Sequence, residues 1–413
     1  MIIGTNGLPI ANGHILAMSP DSIIYPLIYH PMMMALPAAI AFLVAWWFTR
    51  RLASPKSSFS ALAHPTERSL HSRPTPQTGG LAIVAGVVIS LMAAASVLAL
   101  MEPSRTLLPK GMASGSVWIV LSMLLIFTVS FIDDYIGLPA SLRLGVQAIS
   151  ALIIVKGVGL TLSAISIPGE ANLSIEVAAI PVSILLLMWM ANLYNFMDGI
   201  DGFSGGMTAI GFGFLAYFGW EMGSPLMLII ALFVTMSALG FLVHNFPPAR
   251  IFMGDAGSIT LGFLAGALML LGVRDKMFDV WVPIMIFSPF IVDATVTLIR
   301  RAIQREKIWE GHRQHYYQRL VLSGWSHRQT VLVEYGLMMF CGGLAVLYQH
   351  STPMWQLLIL GIWLIVFLVL GGLVNWFEHH TIHRPVRSSR AVGSPSKVQA
   401  VLAEESDRVT IKT

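Results

Sequence analysis

The feature that most constrains this chain is a series of apolar runs that recurs along nearly its whole length. About 20 residues of helix cross the hydrocarbon core of a bilayer. No water reaches the backbone there, so each run must close its hydrogen bonds within itself, as a helix. The runs lie near 23–48, 79–100, 115–132, 143–161, 177–193, 204–220, 225–244, 257–272, 279–299, 331–349 and 355–376. They predict an all-α polytopic membrane protein with about eleven transmembrane helices, the first kinked at Pro37. Composition agrees: 55% of residues are hydrophobic and 11% charged, against about 25% charged in soluble domains. The single cysteine, Cys341, excludes a disulfide framework and a cysteine-based metal site.

Basic residues orient the bundle. Arg105, Lys110, Lys156, Arg274 and Lys276 fall on one side, and the other twenty lysines and arginines on the opposite side or in the tail. By the positive-inside rule the N-terminus lies outside and the C-terminus in the cytoplasm. No basic residue precedes Arg50, so the N-terminus lacks the positive region of a secretory signal. Residues 1–380 read as a single transmembrane domain. Residues 381–413, rich in Ser, Arg and Val without periodicity, read as a disordered cytoplasmic tail. Nothing points to a nucleic-acid partner; self-association as a homodimer stays open.

Polar residues at the ends of such runs need a reason, because carboxylates are costly near hydrocarbon. The densest group is Asn192-Leu-Tyr-Asn195-Phe-Met-Asp198-Gly-Ile-Asp201-Gly202. Its glycines permit sharp turns, and oxygen ligands on a tight loop suit Mg²⁺ and phosphate; a polar helix-ending turn is the plainer alternative. Asp133-Asp134 end the third run, with Arg143 ten residues on. Adjacent helical residues point about 100° apart, so one carboxylate is expected to face a ligand and the other to brace a neighbour. Both oppose the helix dipole and need a cation or a proton. Gly254-Asp255-Ala-Gly-Ser258 opens the eighth run, where Asp255 stands beside free backbone N–H groups as an anion-site residue or an N-cap. Pro74-Thr-Pro-Gln-Thr-Gly-Gly80 opens the second.

Asp293 reads first as a buried carboxylate paired with a neighbour. The loop Gly311-His312-Arg313-Gln-His315-Tyr-Tyr-Gln-Arg319 reads as a phosphate-binding basic patch or a plain juxtamembrane loop. All these clusters fall at the cytoplasmic ends of the runs. Their carboxylates could converge on one cleft, where Mg²⁺ would bridge them to two phosphorylated molecules.

Taken together, these stretches resemble the polyprenyl-phosphate N-acetylhexosamine-1-phosphate transferases, glycosyltransferase family 4, over about residues 70–330. The resemblance implies Mg²⁺ (or Mn²⁺), a UDP-N-acetylhexosamine donor, an undecaprenyl phosphate acceptor in the membrane, and release of UMP. Carried over by motif, Asn195 and Asp255 look like metal ligands, and Asp133 like the base or positioner of the lipid phosphate, with Asp134 beside it. Arg143 looks like the cation on the pyrophosphate, and Asp198 and Asp201 like donor-site residues, with Asp198 near the metal. Asn192, His312, Arg313, His315 and Arg319 would bind substrate. The last loop lacks the triple-histidine run of the peptidoglycan branch, phospho-N-acetylmuramoyl-pentapeptide transferase. It is closer to O-antigen-initiating members that use N-acetylfucosamine, N-acetylquinovosamine or N-acetylglucosamine donors. The implied setting is a bacterial inner membrane, with the active site facing the cytoplasm.

Two routes remain open at this point: direct attack of lipid phosphate on the donor, or a covalent aspartyl-phosphate step. A rival of another class is a transporter or lipid flippase. Transporters place polar sites near the bilayer midplane, often between repeated halves. In this chain the acidic clusters lie at the ends of the runs, and no internal repeat is evident.

Overall fold

The computed structural model describes residues 31–54, 61–63, 74–101, 113–170, 172–307 and 311–382. The expectations for the N-terminal segment and for the tail beyond residue 382 lie outside the described residues. The helices are α1 (Pro31–Leu52), α2 (Gly79–Met101), α3 (Ala113–Ile136), α4 (Ala140–Gly157), α5 (Ala179–Met197), α6 (Phe203–Glu221) and α7 (Pro225–Asn245). They continue with α8 (Gly254–Arg274), α9 (Trp281–Ile286), α10 (Ser288–Ile303), α11 (Tyr316–Leu322), α12 (His327–Gln349) and α13 (Pro353–Ile382). Two antiparallel two-stranded ribbons complete the set: β1 (Leu62–Ala63) with β2 (Thr75–Pro76), and β3 (Ala164–Ile165) with β4 (Leu173–Ser174). Among the described residues nine helices are long and apolar enough to cross a membrane. The fold is an all-α polytopic membrane protein.

Two of the eleven expected crossings take another form. The run at 204–220 is a helix, α6, but its five glycines keep it out of the apolar nine. The run at 279–299 is two helices, α9 and α10, broken at Phe287. The cause is proline chemistry overlooked in an apolar stretch. Pro289 has no N–H to return to the Met285 carbonyl, and the Ser288 hydroxyl donates to that oxygen instead, at 2.7 Å. Pro37 sits inside an unbroken α1.

Helix α8 is the axis of the bundle, with 89% of its span buried. Small residues let its neighbours come close, as expected where packing rather than water drives helix association. A Cβ on Gly80 of α2 would lie 2.2 Å from the Gly257 Cα, and one on Gly262 would lie 2.3 Å from the Met190 carbonyl of α5. Gly80→Leu is therefore expected to prevent this crossing, a loss beyond the usual ~1–3 kcal/mol of overpacking. Gly145→Ala, which meets nothing within 4 Å, is expected to leave stability equal or slightly raised. Thermal unfolding in detergent checks both.

Under the polar end of α5 and α8, aromatic rings fill the core. Phe290 packs against Tyr194 at 5.1 Å and Phe203 at 4.8 Å, and Phe203 reaches Tyr317 at 4.9 Å. The opposite end of the bundle carries a polar layer that sequence reasoning missed. The Tyr348 hydroxyl donates to Asp279 at 2.9 Å, His350 meets Glu221 at 2.7 Å, and the Trp281 indole donates to the Ser166 carbonyl beside the β3–β4 ribbon.

Candidate active site

Four helices bring their polar ends together at one point. The C-terminus of α3 delivers Asp133 and Asp134, the first turn of α4 delivers Arg143, the last turn of α5 delivers Asn195, and the first turn of α8 delivers Asp255. Arg143 spans two carboxylates, reaching Asp133 at 3.2 Å and Asp255 at 3.5 Å. The Asn195 amide donates to Asp255 at 2.7 Å and to the Ser258 hydroxyl at 3.2 Å. Asp133 is buried and also accepts the Leu138 N–H at 2.6 Å. The Asp255 side chain keeps 31% of its surface exposed, so it faces outward from the group.

Asp134 points elsewhere. Its two oxygens accept the Asp255 and Ala256 N–H groups at 2.8 and 2.9 Å. Asp198, the residue that ends α5, lies near Ser204 and the Gly254 backbone at the same helix end. A carboxylate from another helix thus caps α8, where the unpaired N–H groups and the positive dipole end favour negative charge. This corrects the expectation that Asp255 stands beside free N–H groups: those donors are taken. It also explains how Asp134, at a helix C-terminus that repels it, stays in place: α8 supplies the compensating field. Burial pushes the Asp198 carboxyl up to about 7, although Ser204 and Gly254 pull the other way.

The cap closes only around a glycine. Gly254 has φ +76, and a Cβ there would lie 2.0 Å from the Gln77 carbonyl and 3.0 Å from the Asp134 carboxylate. The Pro74–Gly80 turn is laced to the same segment. Phe252 donates to the Pro76 carbonyl at 2.7 Å, and Gly79 and Gly80 donate to Phe252 and Met253 at 2.9 and 2.8 Å. Gln77 donates to the Asp134 carbonyl at 3.1 Å.

The remaining expected site residues separate from this group. Asp201 accepts the Ala249 N–H at 2.9 Å and faces His327 at 3.4 Å, so it holds the loop before α8 rather than joining Asp255. Asn192 donates to Gln147 at 2.6 Å, tying α5 to α4. Sequence reasoning missed Gln147. Its spacing of four from Arg143, on the same helix face, was the available signal. Asp293 is the paired carboxylate expected: it faces His315 at 3.2 Å and accepts the Tyr316 and Tyr317 N–H groups at 2.9 and 3.1 Å. His315 is thereby buried, with the His312 ring tilted against it at 4.8 Å between ring centres. Arg319 is bound by Glu378 and, at 2.6 Å, by Asn375, both on α13. These contacts correct the reading of Arg319 as a phosphate ligand. Arg313 is half-buried in the same loop. The loop still reaches the centre through Tyr317, whose hydroxyl donates to the Phe196 carbonyl at 3.2 Å and rests on Gly199.

His312 is not a cationic donor at neutral pH. Burial first, then the nearby His315 and Arg301, lower its imidazole from 6.5 to about 4. The unfolded chain takes up that proton below about 6.5, while the folded chain resists it down to about 4. Stability is therefore expected to fall as pH drops through that window and to be unaffected by this ring above it. His312→Gln should flatten that part of a melting-temperature–pH curve. A variant curve parallel to the parent's would assign the slope to another group.

The chemistry of the centre follows from its charge count. Asp133, Asp134, Asp198 and Asp255 sit with one arginine among them. Among the described residues no three His, Cys, Asp or Glu side chains converge on one point that would hold a metal. The protein therefore offers hard oxygen donors in ones and twos, the Asp133 and Asp255 carboxylates and the Asn195 amide. That set suits Mg²⁺, which takes one or two carboxylates and completes its shell with phosphate and water.

Comparison with known proteins points to one family of enzymes. Residues 116–273 match the profile of glycosyl transferase family 4. The chain is 32% identical over 322 residues, 76% of its length and 86% of the relative's, to a probable undecaprenyl-phosphate N-acetylglucosaminyl 1-phosphate transferase of Bacillus subtilis. It is 29% identical over 366 residues, 82% of its length and 87% of the relative's, to the decaprenyl-phosphate N-acetylglucosaminephosphotransferase of Mycolicibacterium smegmatis. A phospho-N-acetylmuramoyl-pentapeptide-transferase of Synechococcus is 29% identical over 265 residues, 59% of this chain and 76% of that one.

Proposed function

The chain belongs to glycosyl transferase family 4, whose members here are membrane enzymes moving a sugar 1-phosphate onto a polyprenyl phosphate, and from that premise we propose that its donor is a UDP-N-acetylhexosamine and its acceptor undecaprenyl phosphate. The observation that carries the reading is the meeting of Asp133, Arg143, Asn195 and Asp255, from four helices, at the end of the spans. Among donors, UDP-N-acetylglucosamine is favoured, because the two relatives aligned over most of this chain are named for that sugar. The product would begin an O-antigen or another envelope polysaccharide. The membrane is the bacterial inner membrane with the site facing the cytoplasm, in line with the basic-residue asymmetry.

The reaction is an in-line displacement. An oxygen of the lipid phosphate attacks the donor phosphorus that bears the sugar. A new P–O–P linkage forms to the lipid, the bond from that phosphorus to the oxygen bridging the donor's two phosphorus atoms breaks, and UMP departs with that oxygen. The lipid phosphate is largely ionised at pH 7, its second pKa being about 6, so little proton removal is asked of Asp133. Positioning and electrostatics carry the rate. Bound at Asp133, Asp255 and Asn195, Mg²⁺ would supply the positive charge that the carboxylates need before two phosphorylated molecules can approach. Arg143, between Asp133 and Asp255, adds its cation at the pyrophosphate. Asp134 holds α8 so that Asp255 faces the cleft, and Asp201 and Tyr317 fix the turn that carries Asp198.

The test is UMP release by purified protein with undecaprenyl phosphate, Mg²⁺ and a panel of UDP-sugars. The panel holds the N-acetyl derivatives of glucosamine, fucosamine and quinovosamine, and UDP-N-acetylmuramoyl-pentapeptide. Release with N-acetylglucosamine above the others supports the assignment. Preference for the pentapeptide donor would move the chain to peptidoglycan synthesis, and no release with any donor would sink the proposal.

A further inference from the structure

On the same end of the bundle, away from the carboxylates, α1 and α7 pack backbone to backbone. A Cβ on Gly240 would lie 2.3 Å from the Phe42 carbonyl. Beside this crossing stands His244, buried in the last turn of α7 and stacked on Trp46 of α1 at 6.5 Å. Its Nε2 is buried with no hydrogen-bond partner. The guanidinium groups of Arg50, in the last turn of α1, and Arg250, in the loop before α8, both lie within electrostatic reach of that ring. Both arginines are exposed, and among the described residues no carboxylate pairs with either. Arg250 is fixed by its own N–H, which donates to the His244 carbonyl at 2.9 Å.

We propose that Arg50, Arg250 and His244 form a binding site for the phosphate of an anionic phospholipid, distinct from the reaction centre. Two guanidinium groups, one from α1 and one from the loop before α8, flank His244 without a counter-charge among the described residues, an arrangement that favours an anion. A buried ring nitrogen without a partner is costly, and an anion between the arginines gives Nε2 a group to hydrogen-bond. The location selects a lipid. Basic pockets between membrane helices at the inner leaflet take acidic headgroups. Trp47, one residue beyond the stacked Trp46, is 51% exposed with Arg51 over its ring at 5.2 Å, the posture of a tryptophan at headgroup level. A bound headgroup would also steady the Arg250 loop, which leads directly into Gly254 and Asp255.

The experiment is native mass spectrometry of the full chain in neutral detergent, titrated with phosphatidylglycerol or phosphatidylcholine. The parent protein is expected to bind phosphatidylglycerol preferentially. Each juxtamembrane arginine contributes about fivefold, so Arg50→Gln with Arg250→Gln should weaken it about 25-fold while UMP release in neutral detergent stays unchanged. Arg305→Gln, an exposed arginine outside the site, should leave binding near the parent level. Equal affinity for the two lipids, an unaltered double variant, or equal weakening by Arg305→Gln would overturn the proposal. Displacement by millimolar inorganic phosphate would make this a free-anion site instead. Displacement by undecaprenyl phosphate would put the lipid in the reaction centre, and either result also overturns the assignment.

Discussion

Asp255→Asn is expected to lower UMP release by at least about 10²–10³-fold, the scale on which single preorganised electrostatic groups act, while the protein stays as stable as its parent or becomes slightly more so. The two halves of this expectation have one cause. Asp255 gathers no capping bond to hold α8, since that work is done by Asp134. Its own side chain meets Asp133, a like charge, and only Arg143 at 3.5 Å and Asn195 at 2.7 Å offset it. An asparagine keeps the shape and can still accept from Asn195. Removing the charge relieves the repulsion from Asp133, as happens where function has been kept at a cost in stability. It also removes a carboxylate whose side chain, 31% exposed, faces outward from the group. Rate, Mg²⁺ titration and thermal unfolding measured on one preparation check this. A variant with the parental rate and the parental Mg²⁺ response would take Asp255 out of the site.

Much of this was legible from residues alone, for a physical reason. Lipid leaves the backbone one solution, so run length indicates the helices. Carboxylates are costly beside hydrocarbon, so Asp133, Asp134, Asp198 and Asp255 announced themselves. What sequence could not supply was direction. Asp133 and Asp134 are adjacent and chemically identical, yet one meets Arg143 and the other the N-terminus of a helix more than a hundred residues away. Arg319 read as a phosphate donor because its partner, Glu378, lies 59 residues on, past the end of the last apolar run. The break at Phe287 was missed because Pro283 and Pro289 sit in a stretch whose apolar content alone was weighed. Contacts across long sequence separation, rather than local propensity, separate the residues that face the cleft from those that hold it.

The neighbouring aspartate should therefore fail in the opposite manner. Asp134→Ala strips two charge-assisted bonds from the Asp255 and Ala256 N–H groups, at 2.8 and 2.9 Å, and leaves both donors part-buried without a partner. Each such loss costs about 1–3 kcal/mol, so a fall of several degrees or more in melting temperature is expected in detergent. Activity should fall with it, because the first turn of α8 carries Asp255. Asp134→Asn retains one acceptor oxygen for two donors and should lie between alanine and the parent in both measurements. Gly254→Ala attacks the same cap from the other side, through its positive φ and the 2.0 Å approach to the Gln77 carbonyl, and should match Asp134→Ala in stability. If Asp134 acted on the substrate itself, its alanine variant would be inactive yet melt like the parent. Only a loss of stability that tracks the loss of rate fits a carboxylate whose task is to hold the helix on which Asp255 stands.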